Sequence, residues 1–409
     1  MIDPVNDKIR CLRKYVGWTV ISFAVNLKFL LSSTEAGRAY CQYEVSIMAL
    51  AADYKLGPHT FPRGWFIVAE ANELDAGPKA VRFFGNDFAL YRGESGRVVM
   101  LDAYCAHMGT HIAASKSAEI VATDKQIEGD SIRCPYHGWR YAPDGQVDDI
   151  PYHDGPCPKS AAIKSYEVRE VMGCIMMWHD PEGNLPSYDP PFLTEWDDPA
   201  WVRWELDHLG TIDIHPQEIL DNMADCAHLG PTHGAPCEYF ENEFRNHVVI
   251  QRQGGFHHTY GCYLSSITWY TGPGILLSKQ DFGGAITYEL IANTPVEDGV
   301  TRVWHAALAK AQNIPHSAED IAAAKEVQAG ALHAFSADFD VWKHKRPAIR
   351  IMQLKADGPF NLNRKWYKQF YDTLDNSTIY TDESNGIHQI PNFPAPSKDA
   401  QYLEEGLKL

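Results

Sequence analysis

The chain has 409 residues, of which 45% are hydrophobic and 22% charged, proportions that are ordinary for a globular protein of two or three domains. Its formal net charge of -17 argues against a nucleic-acid-binding or anionic-membrane-binding surface, because no basic block is available to neutralise phosphates. Nine cysteines in a chain of this length do not form a dense disulfide framework, so we expect a cytoplasmic protein with reduced thiols.

The N-terminal segment has two interpretations. Residues 15–32 are largely apolar and follow a basic stretch, as in a signal peptide. Asn26 and Lys28 interrupt this run, which makes it too short and too polar for a transmembrane span. We favour the alternative that residues 1–47 are an N-terminal extension outside the fold, with Met48 near the natural start.

Residues from about 60 to 180 contain short apolar runs such as 81–84 and 98–101, which suit a small all-β domain. Two arms that each combine a cysteine with a histidine lie in this region, and each arm runs into a glycine: Cys105-Ala-His107 and Cys134-Pro-Tyr-His137.

These spacings are those of a Rieske [2Fe-2S] cluster, in which two cysteines hold one iron and two histidines hold the other. Zinc uses the same donor atoms and is the alternative, but zinc pairs more often place like ligands together. The arms therefore predict single-electron transfer. The polar stretch 115–125 between them is longer than such loops usually are, and we interpret it as a surface excursion.

A second group of candidate ligands follows. Residues 218–228 predict a helix on which a step of three places Asp225 and His228 along one face. A Gly-Pro pair is expected to end that helix, which leaves His233 free to turn back toward His228. Two histidines plus one carboxylate form the facial triad of non-haem Fe(II) oxygenases, with positions open for oxygen and substrate. Structural histidines are the alternative, and the cluster motif decides against them because an electron donor needs an acceptor.

From about residue 200 onward, alternating runs such as 285–291 and 301–305 lie between turn signals and predict strands of a second domain. Several aromatic residues in this region offer surface of the kind that lines small-molecule pockets, although the core of the sheet is the better interpretation for most of them. They are Phe256, Tyr260, Tyr263, Trp269, Tyr270 and Trp304.

Asp338 is the best candidate for the carboxylate of the triad. It lies on a long predicted helix that is capped by Ser317 and runs toward Lys343. The position of Asp338 is at the edge of an apolar stripe that includes Phe335, whereas Asp340 points to the opposite face. A carboxylate beside a buried face needs a partner, which is either a metal or, as the alternative, a lysine or arginine.

With these motifs, the chain resembles the oxygenase component of the Rieske non-haem iron oxygenases, and within them it is most similar to the 3-ketosteroid 9-alpha-hydroxylase oxygenase group. The resemblance covers roughly residues 60–372, and its last two stretches point to the steroid group. The matching stretches are Phe61-Pro-Arg-Gly-Trp65, Leu101-Asp-Ala-Tyr-Cys105, His107-Met-Gly109, Asp221-Asn222, Ala337-Asp338-Phe-Asp-Val-Trp-Lys-His-Lys345 and Arg364-Lys-Trp-Tyr-Lys-Gln-Phe-Tyr371.

The resemblance implies an α+β fold. An all-β Rieske [2Fe-2S] domain over residues 60–180 would precede a helix-grip (START-like) catalytic domain with an antiparallel sheet over residues 181–375. A polar C-terminal tail would occupy residues 376–409.

The resemblance also assigns roles to the candidate residues. The Rieske cluster would be held by Cys105, His107, Cys134 and His137. One mononuclear Fe(II) would be bound by His228, His233 and Asp338, and Asp225 would bridge the two metal centres by hydrogen-bonding histidines of both.

The implied function is the terminal oxygenase component of a multicomponent monooxygenase that uses O2 to hydroxylate an apolar, steroid-like polycycle. Because the sequence contains no GxGxxG fingerprint or flavin motif, electrons from NADH would arrive through a separate ferredoxin or flavin-dependent reductase. The resemblance further implies a homotrimer. Alternatives are a sterol desaturase or an aromatic-ring oxygenase or demethylase with the same metals, a Rieske electron-transfer protein without substrate chemistry, and a lipid-binding protein of the helix-grip type.

Overall fold

The computed structural model describes residues 25–32, 40–391, 393–396 and 407–408. Strands β1 (Val25–Ser32) and β2 (Tyr40–Ile47) pair antiparallel with each other. The rest of the predicted N-terminal extension, residues 1–24 and 33–39, lies outside the described residues. From Met48 onward the chain is packed, and the short helix α1 (Ala51–Tyr54) begins where the Ala51 N–H donates to the Asp298 carboxylate at 2.9 Å.

The next region is built almost entirely of antiparallel strands. In chain order they are β3 (Gly64–Glu70), β4 (Lys79–Phe83), β5 (Asn86–Arg92), β6 (Val98–Asp102), β7 (Ile127–Glu128), β8 (Ser131–Arg133), β9 (Arg140–Tyr141), β10 (Val147–Asp149), β11 (Ser165–Tyr166), β12 (Val168–Val171) and β13 (Cys174–His179). They form three small sheets, in the orders β10-β9-β8-β7, β11-β6-β5-β4 and β12-β13-β3. The stretch between β6 and β7 holds one helical turn, α2 (Glu119–Ala122), with mostly exposed side chains around it, as expected of a surface excursion.

The second region surrounds one large sheet. Its elements are β14 (Phe192–Leu193), β15 (Trp201–Val202), β16 (Asp207–Ile212), α3 (Pro216–Leu220), α4 (Leu229–His233), β17 (Tyr239–Arg245), β18 (Val248–His257), β19 (Cys262–Thr271), β20 (Ile275–Phe282), β21 (Ala285–Glu297), β22 (Val300–Lys310), α5 (Ala318–His344), α6 (Phe360–Tyr367), α7 (Leu374–Ser384), β23 (Gly386–Gln389) and β24 (Leu407–Lys408). The sheet is nine-stranded and antiparallel, in the order β15-β22-β21-β20-β19-β18-β17-β23, with β16 also paired to β22.

Helix α5 lies across this sheet and follows the prediction closely. Ser317 and Asp320 form a reciprocal capping box, in which the Asp320 N–H donates to the serine hydroxyl at 3.2 Å and the Ser317 N–H donates to the aspartate carboxylate at 2.9 Å. The apolar stripe of the helix, with Phe335 and Trp342 buried, packs against Val303 of β22. The α+β class, with an all-β first region and an antiparallel sheet over a long helix, is confirmed.

Two features differ from the sequence-based expectation. The helix predicted over 218–228 is interrupted: α3 ends at Leu220, a 3-10 turn spans Asp221–Ala224, and Asp225 is extended at φ -101° and ψ 91°. The predicted polar tail also contributes α7 and the edge strand β23, which pairs with β17. Both elements are largely solvent-exposed, so their polar sequence gave no sign of a buried face.

The two regions share one hydrophobic core. Phe66 on β3 belongs to the same buried cluster as Trp269 and Tyr288 of the large sheet. The Phe66 ring packs against the backbone at Gly274, where a Cβ atom would lie 2.8 Å from that ring. Among the residues that the structure describes, no helix is long and apolar enough to cross a membrane.

Candidate metal centres and substrate cavity

The two cysteine-histidine arms fold into loops with the same backbone pattern. The Cys105 N–H donates to the Thr110 carbonyl at 2.9 Å, and the Cys134 N–H donates to the Trp139 carbonyl at 2.8 Å. The carbonyl of each cysteine accepts from the glycine four residues on, at 2.9 and 3.0 Å. Both glycines have positive φ, 71° and 74°, a conformation that glycine adopts at low cost. The equal spacing of cysteine and glycine in the two arms therefore gives loops with the same backbone hydrogen bonds.

The loops bring the four predicted ligands to one place. Cys105 and Cys134 are free and buried, while the rings of His107 and His137 lie outside them with centroids 4.7 Å apart. Trp139 stacks on His107 at 4.6 Å and 5°, which fixes the plane of that imidazole. Two buried thiols beneath two outer imidazoles form a donor set that fits a Rieske [2Fe-2S] cluster.

A tyrosine that the sequence interpretation missed completes this site. The Tyr141 hydroxyl donates to Cys105 Sγ at 3.1 Å and accepts from the Ala106 N–H at 2.9 Å. A hydrogen bond from the Cys134 thiol, and then one from the Tyr141 hydroxyl, lower the pKa of the Cys105 thiol. A hydrogen bond to a ligating sulfur is one of the features that set the potential of a cluster.

His228, His233 and Asp338 also come together. One ligating atom from each of the three lies within 4.8 Å of the others, and His233 Nε2 is 3.4 Å from Asp338 Oδ1. The side chains of His233 and Asp338 are 14% and 12% exposed, whereas that of Asp340 is 81% exposed. Two imidazoles and one carboxylate on one side of a cavity fit the facial arrangement that binds Fe(II).

The local fold that brings the two histidines together is not the predicted one. Gly230 and Pro231 were expected to end a helix, but they lie within α4, which is capped at its C-terminus by Gly234 with φ 70°. Proline is tolerated there because N–H groups in a first helical turn have no intrahelical partner. The break occurs earlier, at Asp225, whose carboxylate accepts from the Ala227 and His228 N–H groups at 3.1 and 3.3 Å and starts a new turn.

Asp225 also orients His228. The Asp225 carbonyl lies 2.6 Å from His228 Nδ1, while its carboxylate is 3.7 Å from that nitrogen. With Nδ1–H donated to the carbonyl, Nε2 is the nitrogen left for a metal. Burial favours the neutral carboxyl of Asp225, but hydrogen bonds from His228 and Ala227 outweigh it and hold the pKa below its usual value.

A cavity of about 530 Å³ adjoins the three candidate iron ligands and lies between α5 and strands β18 to β21. This is within the roughly 300 to 1,000 Å³ typical of small-molecule sites. Of the six aromatic residues named from the sequence, Tyr260 lines the cavity. The alternative of sheet core holds for Trp269, Tyr270 and Trp304, which are buried, while Phe256 and Tyr263 are exposed.

Comparison with known proteins identifies both regions. A family model of the Rieske [2Fe-2S] domain matches residues 64–167, and a model of the 3-ketosteroid 9alpha-hydroxylase C-terminal domain matches residues 177–371. The oxygenase component of a 3-ketosteroid-9-alpha-monooxygenase from Rhodococcus rhodochrous is 30% identical over 328 residues, which are 76% of this chain and 83% of that protein. A cholesterol 7-desaturase from Hemicentrotus pulcherrimus is 28% identical over 368 residues, covering 80% of this chain and 72% of that protein.

Solved structures share the fold at low sequence identity. The NdmA protein of Pseudomonas putida CBB5 with caffeine has a TM-score of 0.60 at 17% identity, over 81% of this chain and 97% of that one. Apo dicamba monooxygenase has a TM-score of 0.58 at 17% identity, over 75% of this chain and 97% of that one.

Proposed function

This chain belongs to the Rieske non-haem iron oxygenases, and from that premise we propose that it is the terminal oxygenase component of a multicomponent monooxygenase that hydroxylates an apolar, steroid-like polycycle. One observation carries the proposal. The ligating atoms of His228, His233 and Asp338 converge within 4.8 Å beside a cavity large enough for a small-molecule substrate. A protein that only transferred electrons would have no use for this second site.

We assign the Rieske cluster to Cys105, His107, Cys134 and His137, and a mononuclear Fe(II) to His228, His233 and Asp338. When bound, the cluster supplies single electrons and the ferrous ion supplies a centre at which O2 is activated.

The protein's own residues prepare these sites. The Asp225 carbonyl fixes the ring orientation of His228, and the Tyr141 hydroxyl donates a hydrogen bond to the Cys105 sulfur. The apolar part of the cavity, with residues such as Leu276, Ile291 and Phe335, would bind the ring system and exclude water.

The similarity to oxygenase components implies a separate electron-transfer partner. We propose that this partner is an NADH-dependent reductase that uses a ferredoxin or flavin. We further propose a homotrimer in which Asp225, with 30% of its side chain exposed, hydrogen-bonds a cluster histidine of the neighbouring subunit. His228 Nδ1 lies 2.6 Å from the Asp225 carbonyl and 3.7 Å from the Asp225 carboxylate. Because the carbonyl takes the His228 hydrogen bond, the carboxylate is available to a histidine of the neighbouring subunit.

Desaturation is the second candidate function, favoured by the similarity to a cholesterol 7-desaturase. It would use the same metals and differ in how the substrate lies against them. The two reactions are distinguished by their products, since hydroxylation adds one oxygen atom and desaturation removes two hydrogens.

The test is reconstitution of turnover. The protein, a compatible reductase, NADH and O2 are incubated with a panel of polycyclic steroids, and products are identified by mass spectrometry. Hydroxylated product coupled to NADH consumption is expected, with its loss in Asp338→Ala and its retention in the matched control Asp340→Ala. If no steroid couples NADH use to product while a small aromatic acid does, the proposed substrate is wrong.

A further inference from the structure

The wall of the cavity opposite α5 carries a polar row. Gln251 on β18, Thr268 on β19, Ser278 on β20 and Glu289 on β21 stand directly opposite one another in the strand register. All four line the cavity, whose exposed surface is otherwise mainly apolar. A small number of fixed polar groups in an apolar pocket usually marks where the polar substituent of a ligand sits.

All four members of this row have hydrogen-bond partners within the protein. The Thr268 and Ser278 hydroxyls hydrogen-bond each other at 2.8 Å. The Gln251 side-chain amide donates to the Met223 carbonyl at 3.0 Å. Glu289 differs because it is the ionisable member of the row, and its side chain is 12% exposed.

Glu289 is held in place from two sides. Its Oε1 lies 3.1 Å from His305 Nε2, and its Oε2 accepts from the Gln280 amide at 2.7 Å. His305 is fully buried, and its other ring nitrogen lies 2.8 Å from the Asp207 carboxylate. Because a carboxylate oxygen faces each ring nitrogen, both nitrogens donate when His305 is an imidazolium. That single positive charge is shared between Glu289 and Asp207.

The chemistry of Glu289 limits what it can bind. A carboxylate only accepts hydrogen bonds, and each oxygen can accept more than one, so Glu289 retains acceptor capacity beyond these two bonds. A ketone oxygen has no proton to donate to it, whereas a hydroxyl has. An ammonium group also donates, but it would lose most of its hydration in this largely apolar cavity, a cost that a neutral hydroxyl does not have.

Glu289 lines the same cavity as the candidate iron ligands, and His305 and Phe335 lie between it and Asp338 in the chain of contacts. His305 stacks against Phe335 with ring centroids 6.0 Å apart, and Phe335 precedes Asp338 by three residues on α5. Both Phe335 and Asp338 line the cavity. A ligand whose polar group contacts Glu289 would therefore lie across the apolar face of α5 that leads to Asp338.

We propose that Glu289, positioned by His305 and Gln280, accepts a hydrogen bond from a hydroxyl group of the substrate. The substrate class is then an apolar polycycle that carries an alcohol, in preference to one that carries ketones alone. This inference rests on the proposed function, because it concerns the substrate of the same cavity.

The experiment measures equilibrium binding to the iron-loaded protein without reductase, so that turnover is not required. Isothermal titration compares a steroid 3-alcohol with its matched 3-ketone, 3-methyl ether and 3-amine. The alcohol should bind about tenfold more tightly than the ketone or the ether, because a hydrogen bond to a carboxylate is charge-assisted. Glu289→Gln should remove about tenfold of the alcohol affinity and leave ketone affinity unchanged. The matched control is Glu297→Gln, the same change on the same strand outside the cavity, where Glu297 pairs with Arg82.

The outcomes separate this inference from the proposed function. If alcohol, ketone and ether bind equally, or if the preference survives Glu289→Gln, Glu289 is not the recognition residue, although steroid binding stands. An amine that binds more tightly than the alcohol would overturn the choice of a neutral donor. If none of the steroids binds, the steroid substrate of the proposed function fails too. Equal binding of the wild-type ligand series would refute the inference even if the Glu289 variant does not fold.

Discussion

Asp225 offers the sharpest test of the candidate iron site, because its side chain and its backbone do different jobs. The carboxylate closes the turn that precedes α4, by accepting from the N–H groups of Ala227 and His228. The carbonyl orients the His228 ring. A substitution at this position removes the side chain and keeps the carbonyl, so we expect Asp225→Asn and Asp225→Ala to retain the mononuclear iron.

The two variants should differ in stability. Asparagine keeps an oxygen that can accept both N–H groups, so we expect the free energy of unfolding of Asp225→Asn to stay within about 0.5 kcal/mol of the wild type. Alanine removes the acceptor and should cost about 1 kcal/mol, the usual net contribution of such a hydrogen bond.

Turnover should depend on the negative charge of the Asp225 carboxylate, which both substitutions remove. Hydrogen bonds hold the pKa of Asp225 below its usual value, so the carboxylate is ionised at neutral pH and both substitutions remove a charge. Loss of a carboxylate that supports a metal-ligating histidine typically costs about 10- to 100-fold in affinity or activity. We expect a loss of this size in both variants.

The measurements are iron content, denaturant unfolding and product formation on the same preparations. Full activity in Asp225→Asn with low activity in Asp225→Ala would show that the turn matters and the charge does not, which refutes the proposed bridging role. Loss of the mononuclear iron from Asp225→Asn would refute the assignment of His228 orientation to the carbonyl.

Four further predictions follow from particular residues. His137→Ala should abolish the visible absorption of the Rieske cluster, since it removes one of the four proposed ligands; colour that survives would contradict the assignment. Asp338→Ala should lose only the mononuclear iron by metal analysis, whereas loss in Asp340→Ala instead would mean that the wrong face of α5 was chosen. Ser317→Ala should lower the free energy of unfolding by about 1 kcal/mol, through loss of its cap, with no change in metal content. Deletion of residues 1–47 should leave both metal sites loaded, because the segment precedes the first matched motif and carries none of the proposed ligands; loss of the cluster on truncation would place that segment in the fold.

The sequence was most informative where a site is local in the chain. Each cluster arm spans a few residues, and its glycine predicts the turn, so the positions of Cys105 and Cys134 followed from spacing alone. Ser317 with Asp320 is another local pattern, and it predicted the start of α5 correctly. In these cases the hydrogen bonds that close each loop or cap join residues within five positions of one another.

The sequence was less informative where competing local preferences were close in energy. A continuous helix over 218–228 satisfies helical periodicity, but Asp225 stabilises a turn of its own by capping the two N–H groups that follow. Proline at position 231 argued for a break there, although a first helical turn tolerates it. His228 and His233 come together beside Asp338 although the preceding helix was placed wrongly. The turn at Asp225 orients His228, and α4 carries the chain on to His233.

The contacts of Glu289 on the cavity wall could not be predicted from the sequence, for a different reason. The contacts of Glu289 with Gln280 and His305, like that of His305 with Asp207, join residues on different strands, and they exist because of the register. Successive side chains of a strand point to opposite faces, so a slip of one residue in β21 would turn Glu289 away from the cavity and leave the three candidate iron ligands where they are. The proposed chemistry depends on short helical segments and a capped helix, whereas the proposed substrate preference depends on pairing between distant strands. Oxygenases that share this fold and its metal ligands can therefore differ in substrate, and in this chain the residues to compare first are those on the inner face of β18 to β21.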